Sequence, residues 1–440
     1  MTGRLRTFRP VPASRRVMNT LAATVTLMLG LALPAARTPA HAAQISIACG
    51  ALGIELELCS KAVGEWERQT GNSVRIITTP NSSTDRLALY LQLLASRTGD
   101  IDVLQIDVVW AGILASHLAD LKPYVGDAPR HHFPALIEND TIDGRLVALP
   151  WWVDVGVLYY RSDLLEQYGF APPRTWQDLT STARAIQDAE RAAGNGRLWG
   201  FVFQGKAYEG LTCNAIEWIS SFGGGTIVDE AGRITVNNPR AVEALALAGR
   251  WVGEISPKGV LNYDEEAARG VFQTGQAVFM RNWPYAFALA QSADSPVRGK
   301  VGVTPLPSGG PEGQSSGALG GWHLAVSRYS PHPKEAAALV AFLASAEQQK
   351  KRAITGSYNP TLPSLYDDPD VLAANPFFAE LLEPLRKAVA RPSRVAGPHY
   401  NRLSSDIWRA AHDILAGSPA QRRIDVLAED LDRVKYRAGW

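Results

Sequence analysis

From Gln44 onward, short apolar runs alternate with amphipathic stretches, and this alternation restricts the fold more than any other feature of the chain. Gln44–Ala48, Val74–Thr78 and Ile101–Ile106 are apolar runs of strand length. Between them, Glu55–Gln69 carries Leu58, Ala62, Val63 and Trp66 at helical spacing and closes at Gly71, and Ser83–Ser96 is a second, Leu-rich helix. Strand–helix–strand alternation of this kind predicts a parallel sheet with helices on its faces. Trp110–His117 reads as a further helix. The pattern changes at Leu146–Tyr160, where two extended runs flank Trp151-Trp152-Val153-Asp154. Helices then follow at Trp176–Ala193 (N-cap Thr175), at Gly210–Phe222 ahead of a triple glycine, and from Arg240 to about Glu254 (N-cap Asn238, Pro239 in the first turn). Val271–Met280 reads as a strand with a glycine break, and Val301–Leu306 and Leu319–Val326 as further strands. Lys334–Gln349 reads as one Ala-rich helix, and Pro376–Tyr436 as mostly helical. An α/β pattern that stops, gives way and returns near Trp322 predicts two lobes sharing a chain that crosses between them more than once.

The first 42 residues are of another kind. They hold six arginines and no acid, an apolar stretch from Leu21 to Pro34, and then Ala40-His41-Ala42, an A-x-A cleavage pattern. This is the layout of an export signal, and it predicts a periplasmic or otherwise extracytoplasmic protein that starts near Ala43. Arg15-Arg16 leaves both general secretion and twin-arginine export open. Ser46-Ile47-Ala48-Cys49 bears only a faint likeness to a lipoprotein attachment site and falls inside a predicted strand. Without the leader, the charge is 38 basic against 43 acidic residues, net −5. A mildly acidic body lacks the electrostatic footprint of nucleic-acid binding. Beyond the leader no apolar run is long enough for a membrane helix. Cys49, Cys59 and Cys213 are an odd set, so at least one thiol is free and one disulfide of open pairing is possible.

Motifs of catalysis are absent: there is no G-x-S-x-G elbow, Walker A loop or H-E-x-x-H. Gly223-Gly224-Gly225 follows a helix rather than a strand, against a dinucleotide loop. No Cys/His spacing suggests a metal, and His131-His132 reads as a solvated surface pair. The stronger signal is a set of aromatic and charged residues at segment ends: Asp107 after a strand, Asp154 after Trp151-Trp152, Trp283 and Tyr285 in Arg281-Asn282-Trp283-Pro284-Tyr285, and Trp322 after Gly320-Gly321. In open α/β sheets ligands sit beyond the carboxyl ends of strands. These residue types suit a neutral sugar, because aromatic rings cover the C–H face of a pyranose while carboxylates and arginine bond its hydroxyls and ring oxygen. Asp107 and Asp154 taken as a glycosidase acid/base pair are the enzyme alternative, but nothing in the sequence raises one pKa selectively.

Six ordered segments carry a resemblance: 102–112 (DVLQIDVVWAG), 146–169 (LVALPWWVDVGVLYYRSDLLEQYG), 199–211 (WGFVFQGKAYEGL), 280–289 (MRNWPYAFAL), 295–307 (SPVRGKVGVTPLP) and 318–330 (ALGGWHLAVSRYS). Through them nearly all of residues 44–440 resembles family 1 of the extracellular solute-binding proteins of ABC sugar importers, and within it the trehalose/maltose-binding group. The resemblance implies a two-lobed α/β periplasmic-binding-protein fold of the class II type. The N-terminal lobe would be 43–153 with 321–355 and the C-terminal lobe 154–320 with 356–440, joined by crossovers near Asp154, Trp322 and Thr355.

It also implies sugar contacts by position. Glu55 and Arg86 match polar contacts from the first lobe, and Asp107 and Asp154 match carboxylates that grip hydroxyls. Trp152 stands where the family often has Tyr, which keeps a stacking face and drops a hydroxyl. Trp283 and Tyr285 match aromatic walls, Gly321 a backbone contact, Trp322 a stacking ring, and Arg391 a late arginine contact for which Arg394 is the alternative. The implied function is a monomeric binding protein, without cofactor, metal or catalysis, that closes on trehalose, maltose or a related α-glucoside and delivers it to the membrane permease subunits. A receptor for sucrose or glycerol phosphate, or a sensory sugar-binding protein, would share the fold.

Overall fold

The computed structural model describes residues 42–50, 52–310 and 313–440; apart from Ala42, the expected leader lies outside the described residues. In chain order the main strands are β1 Gln44–Ala48, β2 Ser73–Ile77, β3 Val103–Asp107, β4 Leu149–Val155, β5 Val157–Arg161, β6 Trp199–Val202, β7 Ala277–Asn282, β8 Val301–Pro305 and β9 Leu319–Val326. They form two sheets, one of order β2-β1-β3-β9-β4 and one of order β8-β5-β7-β6. In the first, β1 runs parallel to β2 and β3, while β9 is antiparallel to β3 and β4. In the second, β5 is antiparallel to β7 and β8, and β6 is parallel to β7.

The expected alternation between residues 44 and 107 is realised with ends shifted by one or two residues. All five residues of β3 are buried, which a strand reaches only when both faces of its sheet are covered. Helix α1 (Glu55–Thr70) buries Leu58, Cys59, Val63 and Trp66 and ends at left-handed Gly71. Helix α2 (Ser83–Ala95) is capped by the Ser82 hydroxyl, which accepts the Asp85 N–H. Helix α3 (Trp176–Ala192) starts with a reciprocal Thr175/Asp178 capping box. Every residue of α4 (Glu209–Ser221) is buried, and α5 (Pro239–Trp251) is capped by Asn238 as expected. The remaining long helices are α6 Glu265–Gln273, α7 Pro333–Leu343, α8 Ala346–Gly356, α9 Phe378–Arg386, α10 Tyr400–Leu415 and α11 Ala420–Ala438. Helix α10 packs on α4, α5 and α11, which is why α4 has no solvated face.

Three expectations are corrected. Val271–Met280 is not one strand: residues 265–273 are α6, capped by Asp264, with Ala268 and Phe272 buried at the four-residue spacing of a helix. The turn at Gly275 (φ +80°) separates α6 from β7. Lys334–Gln349 is not one helix, because Ser345 takes the β conformation and caps α8 by accepting the Gln348 N–H. His131-His132 is not a solvated pair: His132 is buried, its Nδ1 lies 2.7 Å from Thr361 Oγ1, and burial pulls its pKa down to about 4. The Cys49 and Cys59 sulfurs form a disulfide, so the Cys49 thiol is not free for a lipid; Cys213 is free and buried.

The chain passes from the first sheet to the second at 155–157 and returns between β8 and β9, and later in the chain α9 touches both β4 and β8. The first two passages lie side by side over one buried ion pair. Arg281 Nε donates to Glu217 Oε2 at 2.8 Å, and Glu217 Oε1 accepts the Ala318 N–H at 3.0 Å. Gly156, between β4 and β5, lies against the same pair; a Cβ there would stand 2.0 Å from Glu217 Oε1 and 2.7 Å from Arg281 Nη2. Gly156→Ala must therefore displace a buried pair, and breaking such a pair costs about 3–5 kcal/mol. Gly270→Ala, in the interior of α6 with open space around its Cα, should instead be neutral or stabilising by up to about 1 kcal/mol. Urea unfolding of both variants checks the contrast, and similar effects at the two glycines would refute it.

Candidate functional site

The site is built on three adjacent strands of the first sheet. Asp107, the last residue of β3, pairs with Trp322 of β9, Trp322 pairs with Trp152 of β4, and Gly320 pairs with Asp154. Residues two apart on a strand share a face, so Trp152 and Asp154 project together, and Trp152 Nε1 donates to Asp154 Oδ2 at 3.0 Å. Gly321 meets two demands that a side chain could not: its φ is +130°, and a Cβ there would lie 2.5 Å from the Trp152 carbonyl oxygen. Opposite this row stand β7 with Trp283 and Tyr285 just beyond it, the start of α4, and Arg391.

These elements surround a cleft of about 550 Å³ of empty space, a figure that includes its part open to solvent. Nine of the ten residues anticipated from sequence line it: Glu55, Asp107, Trp152, Asp154, Trp283, Tyr285, Gly321, Trp322 and Arg391. Arg86 does not. It lies fully buried behind the cavity, its guanidinium 4.2 Å from the Trp322 ring centre and donating to the Pro80 carbonyl at 3.2–3.3 Å. It holds a wall ring rather than facing the space. Arg394 is exposed and pairs with Glu138 at 2.7 Å, outside the lining. Trp110 meets Trp322 edge-on at 5.5 Å, and Arg281 stacks 3.9 Å from Trp283. Both rings are thus packed against groups of the protein itself.

Five carboxylates and one guanidinium stand among the described lining residues. Arg391 binds two of the acids, with Nη2 2.6 Å from Asp107 Oδ1 and Nη1 2.8 Å from Glu209 Oε1. Glu209 also accepts from the Tyr400 and Ser404 hydroxyls, and its own N–H donates to Thr84 Oγ1 at 3.1 Å. Burial raises the Glu209 carboxyl above the usual range, opposed by Arg391, and pushes the Cys213 thiol up to about 12. Glu265 accepts the Tyr208 hydroxyl at 2.6 Å and is also raised by burial. Asp154 differs. Burial, then the nearby Glu55, pushes it up to about 7, and its Oδ1 is buried with no hydrogen-bond partner. No group of three or more His, Cys, Asp or Glu among the described residues has the geometry to hold a metal ion.

Glu209, Glu265, Tyr358, Asn81, Ser83, Gly320 and Cys213 also line the space and were not anticipated as contacts. Glu209 and Glu265 each open a helix, where an acidic residue suits the N-terminal dipole. Read as contacts they would have needed correct helix starts, and 265–273 lay beside a stretch read as strand. Tyr358 sits in the passage after α8, where the sequence offers no strand end to mark it.

No helix among the described residues is long and apolar enough to cross a membrane. Residues 57–350 match the bacterial extracellular solute-binding proteins. A probable ABC transporter-binding protein of Deinococcus radiodurans is 48% identical over 94% of this chain and 99% of its own length. The maltose-bound structure of MalE3 from T. maritima has a TM-score of 0.83 at 40% identity and covers 89% of this chain and 100% of that one. The ribitol complex of an ABC transporter solute-binding protein from Agrobacterium radiobacter gives 0.78 at 24% identity, covering 90% and 98%, a likeness that speaks to the fold alone. With its two-lobed α/β architecture, this chain belongs to the bacterial extracellular solute-binding proteins, a family of transport binding proteins and not of enzymes.

Proposed function

We propose that this protein is the substrate-binding component of an ABC importer for sugars or polyols, and that its preferred ligand is an α-glucoside disaccharide, trehalose or maltose. The observation that carries the reading is Asp154 Oδ1. It is a buried acceptor with nothing to accept from, at the centre of a cavity walled by Trp152, Trp283, Tyr285 and Trp322. Leaving such a group unsatisfied costs about 1–3 kcal/mol, and a ligand hydroxyl removes that cost. Five acids against one arginine repel a phosphate, which speaks against glycerol phosphate and for a neutral polyhydroxylic ligand. The maltose found in the T. maritima relative points the same way within the neutral class.

In this reading residues 43–153 and 321–355 form one lobe and 154–320 and 356–440 the other. Contacts such as Arg391–Asp107 and Glu209–Thr84 link the two sides of the cleft. Closure around the sugar selects the form that a permease recognises, so the ligand acts by shifting a population and is not converted.

Thermal melting with trehalose, maltose, sucrose, glucose and ribitol tests the ligand. A sugar at 100 times its dissociation constant stabilises the fold by about 2.7 kcal/mol, and the largest rise is expected for trehalose or maltose. A rise with ribitol alone would move the ligand to polyols. Asp154→Ala should abolish measurable binding with the melting cooperativity retained, and undiminished affinity in this variant would overturn the site.

The same carboxyl sets a pH dependence. Without ligand, the folded protein holds a proton on Asp154 up to about pH 7, whereas the unfolded chain loses it near 3.8. The Asp154 contribution to stability is therefore largest below about pH 4 and declines as pH rises to about 7. A ligand hydroxyl donating to Asp154 favours the ionised form, so affinity should rise between pH 5 and 8. Calorimetric titration across that range should show the slope in the wild type and a weaker, flat profile in Asp154→Asn. A flat wild-type profile would refute the role.

A further inference from the structure

A second cavity lies on the far side of Trp151 from the ligand site. It is bounded by α1 (Leu58, Lys61, Glu65), Trp151 of β4 and the α7–α8 junction (Gln348, Lys351, Arg352), and holds about 570 Å³ of empty space, partly open to solvent. Arg352 lines it and is only 5% exposed. Its guanidinium stacks 3.9 Å from the Trp151 ring, 4.6 Å from Trp152 and 5.1 Å from Tyr358. No carboxylate among the described residues is in salt-bridge reach of it, and Nη1 is buried without a hydrogen-bond partner. The neighbouring polar groups are engaged otherwise: Lys351 bridges Glu65 and Glu347, Lys61 binds Glu57, and the Gln348 amide donates to Glu65.

A buried guanidinium that has ring faces and no carboxylate in salt-bridge reach, with Glu55 and Asp154 acting on it only at longer range, is an expensive arrangement. Its planar fork is shaped for a carboxylate or a phosphate, and with Lys61 and Lys351 paired to Glu57, Glu65 and Glu347, Arg352 is the cation of the described lining left without a salt bridge. Burial pulls the Arg352 pKa down to about 10, which still leaves it charged at neutral pH. We propose that this outer cavity is a binding site for a small oxyanion, a carboxylate or a phosphate, held by the unpaired fork of Arg352 with Lys351 and Lys61 at its rim. The site is separate from the ligand cleft and does not rest on the identity of the sugar, although Trp152 and Tyr358 stand between the two.

The test uses inorganic phosphate and acetate as probes, at constant ionic strength with chloride as the control, and follows the arginine side-chain Nε–H resonances and the melting temperature of the purified protein. One arginine resonance should shift saturably with phosphate, acetate or both, and the probe with the lower midpoint names the anion class. That resonance should disappear in Arg352→Gln, where anion affinity falls at least about tenfold, the equivalent of one charge-assisted hydrogen bond. Lys351→Ala should weaken the anion more mildly while the Arg352 resonance persists, so the proposal stays testable if Arg352→Gln does not fold. Linear, non-saturating shifts with both probes, or equal saturation in Arg352→Gln and wild type, would overturn it.

Discussion

The buried pair between Glu217 and Arg281 is the contact on which the two-lobed arrangement turns. It sits where the first two passages between the sheets run side by side, beneath Gly156 and against the Ala318 N–H. An ion pair out of water is retained only when its remaining polar atoms are satisfied. Here Gln204 accepts from Arg281 Nη1 at 3.1 Å, and the guanidinium faces the Trp283 ring. One interaction thus fixes the path of two crossings, demands a glycine between β4 and β5, and holds a wall of the cavity. The geometry of the cleft and the connection between the lobes are mechanically the same object.

The cavity itself divides its charges between two tasks. Asp107 and Glu209 are committed to Arg391, and Glu209 is tied further to Tyr400, Ser404 and Thr84. This network joins residues more than a hundred positions apart in the chain. Asp154 is held only by Trp152 and retains a free acceptor. A site in which the other carboxylates are engaged internally and Asp154 Oδ1 is left open discriminates by hydroxyl geometry, because a ligand lacking that hydroxyl leaves the acceptor unpaired.

Legibility of the site followed the legibility of strand ends. Asp107, Asp154, Trp283, Tyr285 and Trp322 were readable because each sits at or just beyond an apolar run of strand length, where a ligand is expected. Arg86 was proposed only through the family resemblance, and whether its guanidinium faces the cavity or the back of Trp322 is a matter of side-chain packing. Glu209 and Glu265 escaped because their roles depend on where helices begin, and 271–280 carries apolar residues that fit a strand period until Phe272 and Ala268 are seen to share a helix face. The break between α7 and α8 was missed for a similar reason: the Ala-rich composition favours helix throughout, and the Ser345 cap is a single-residue event.

The sequence by itself determined the alternating α/β elements, the acidic body after a basic leader, the glycines ahead of Trp322, and a set of aromatic and carboxylate residues suited to a polyhydroxylic ligand. These are local properties, set by periodicity, capping and residue chemistry. Only the tertiary structure decided that Cys49 pairs with Cys59, that β9 brings Asp107, Trp322 and Trp152 into one row, that Arg391 reaches Asp107 and Glu209 rather than solvent, and that Arg352 is buried among three rings without an anion. Each of those outcomes joins positions far apart in the chain. Such pairings are fixed by which buried faces and charges can satisfy one another once the sheets are assembled.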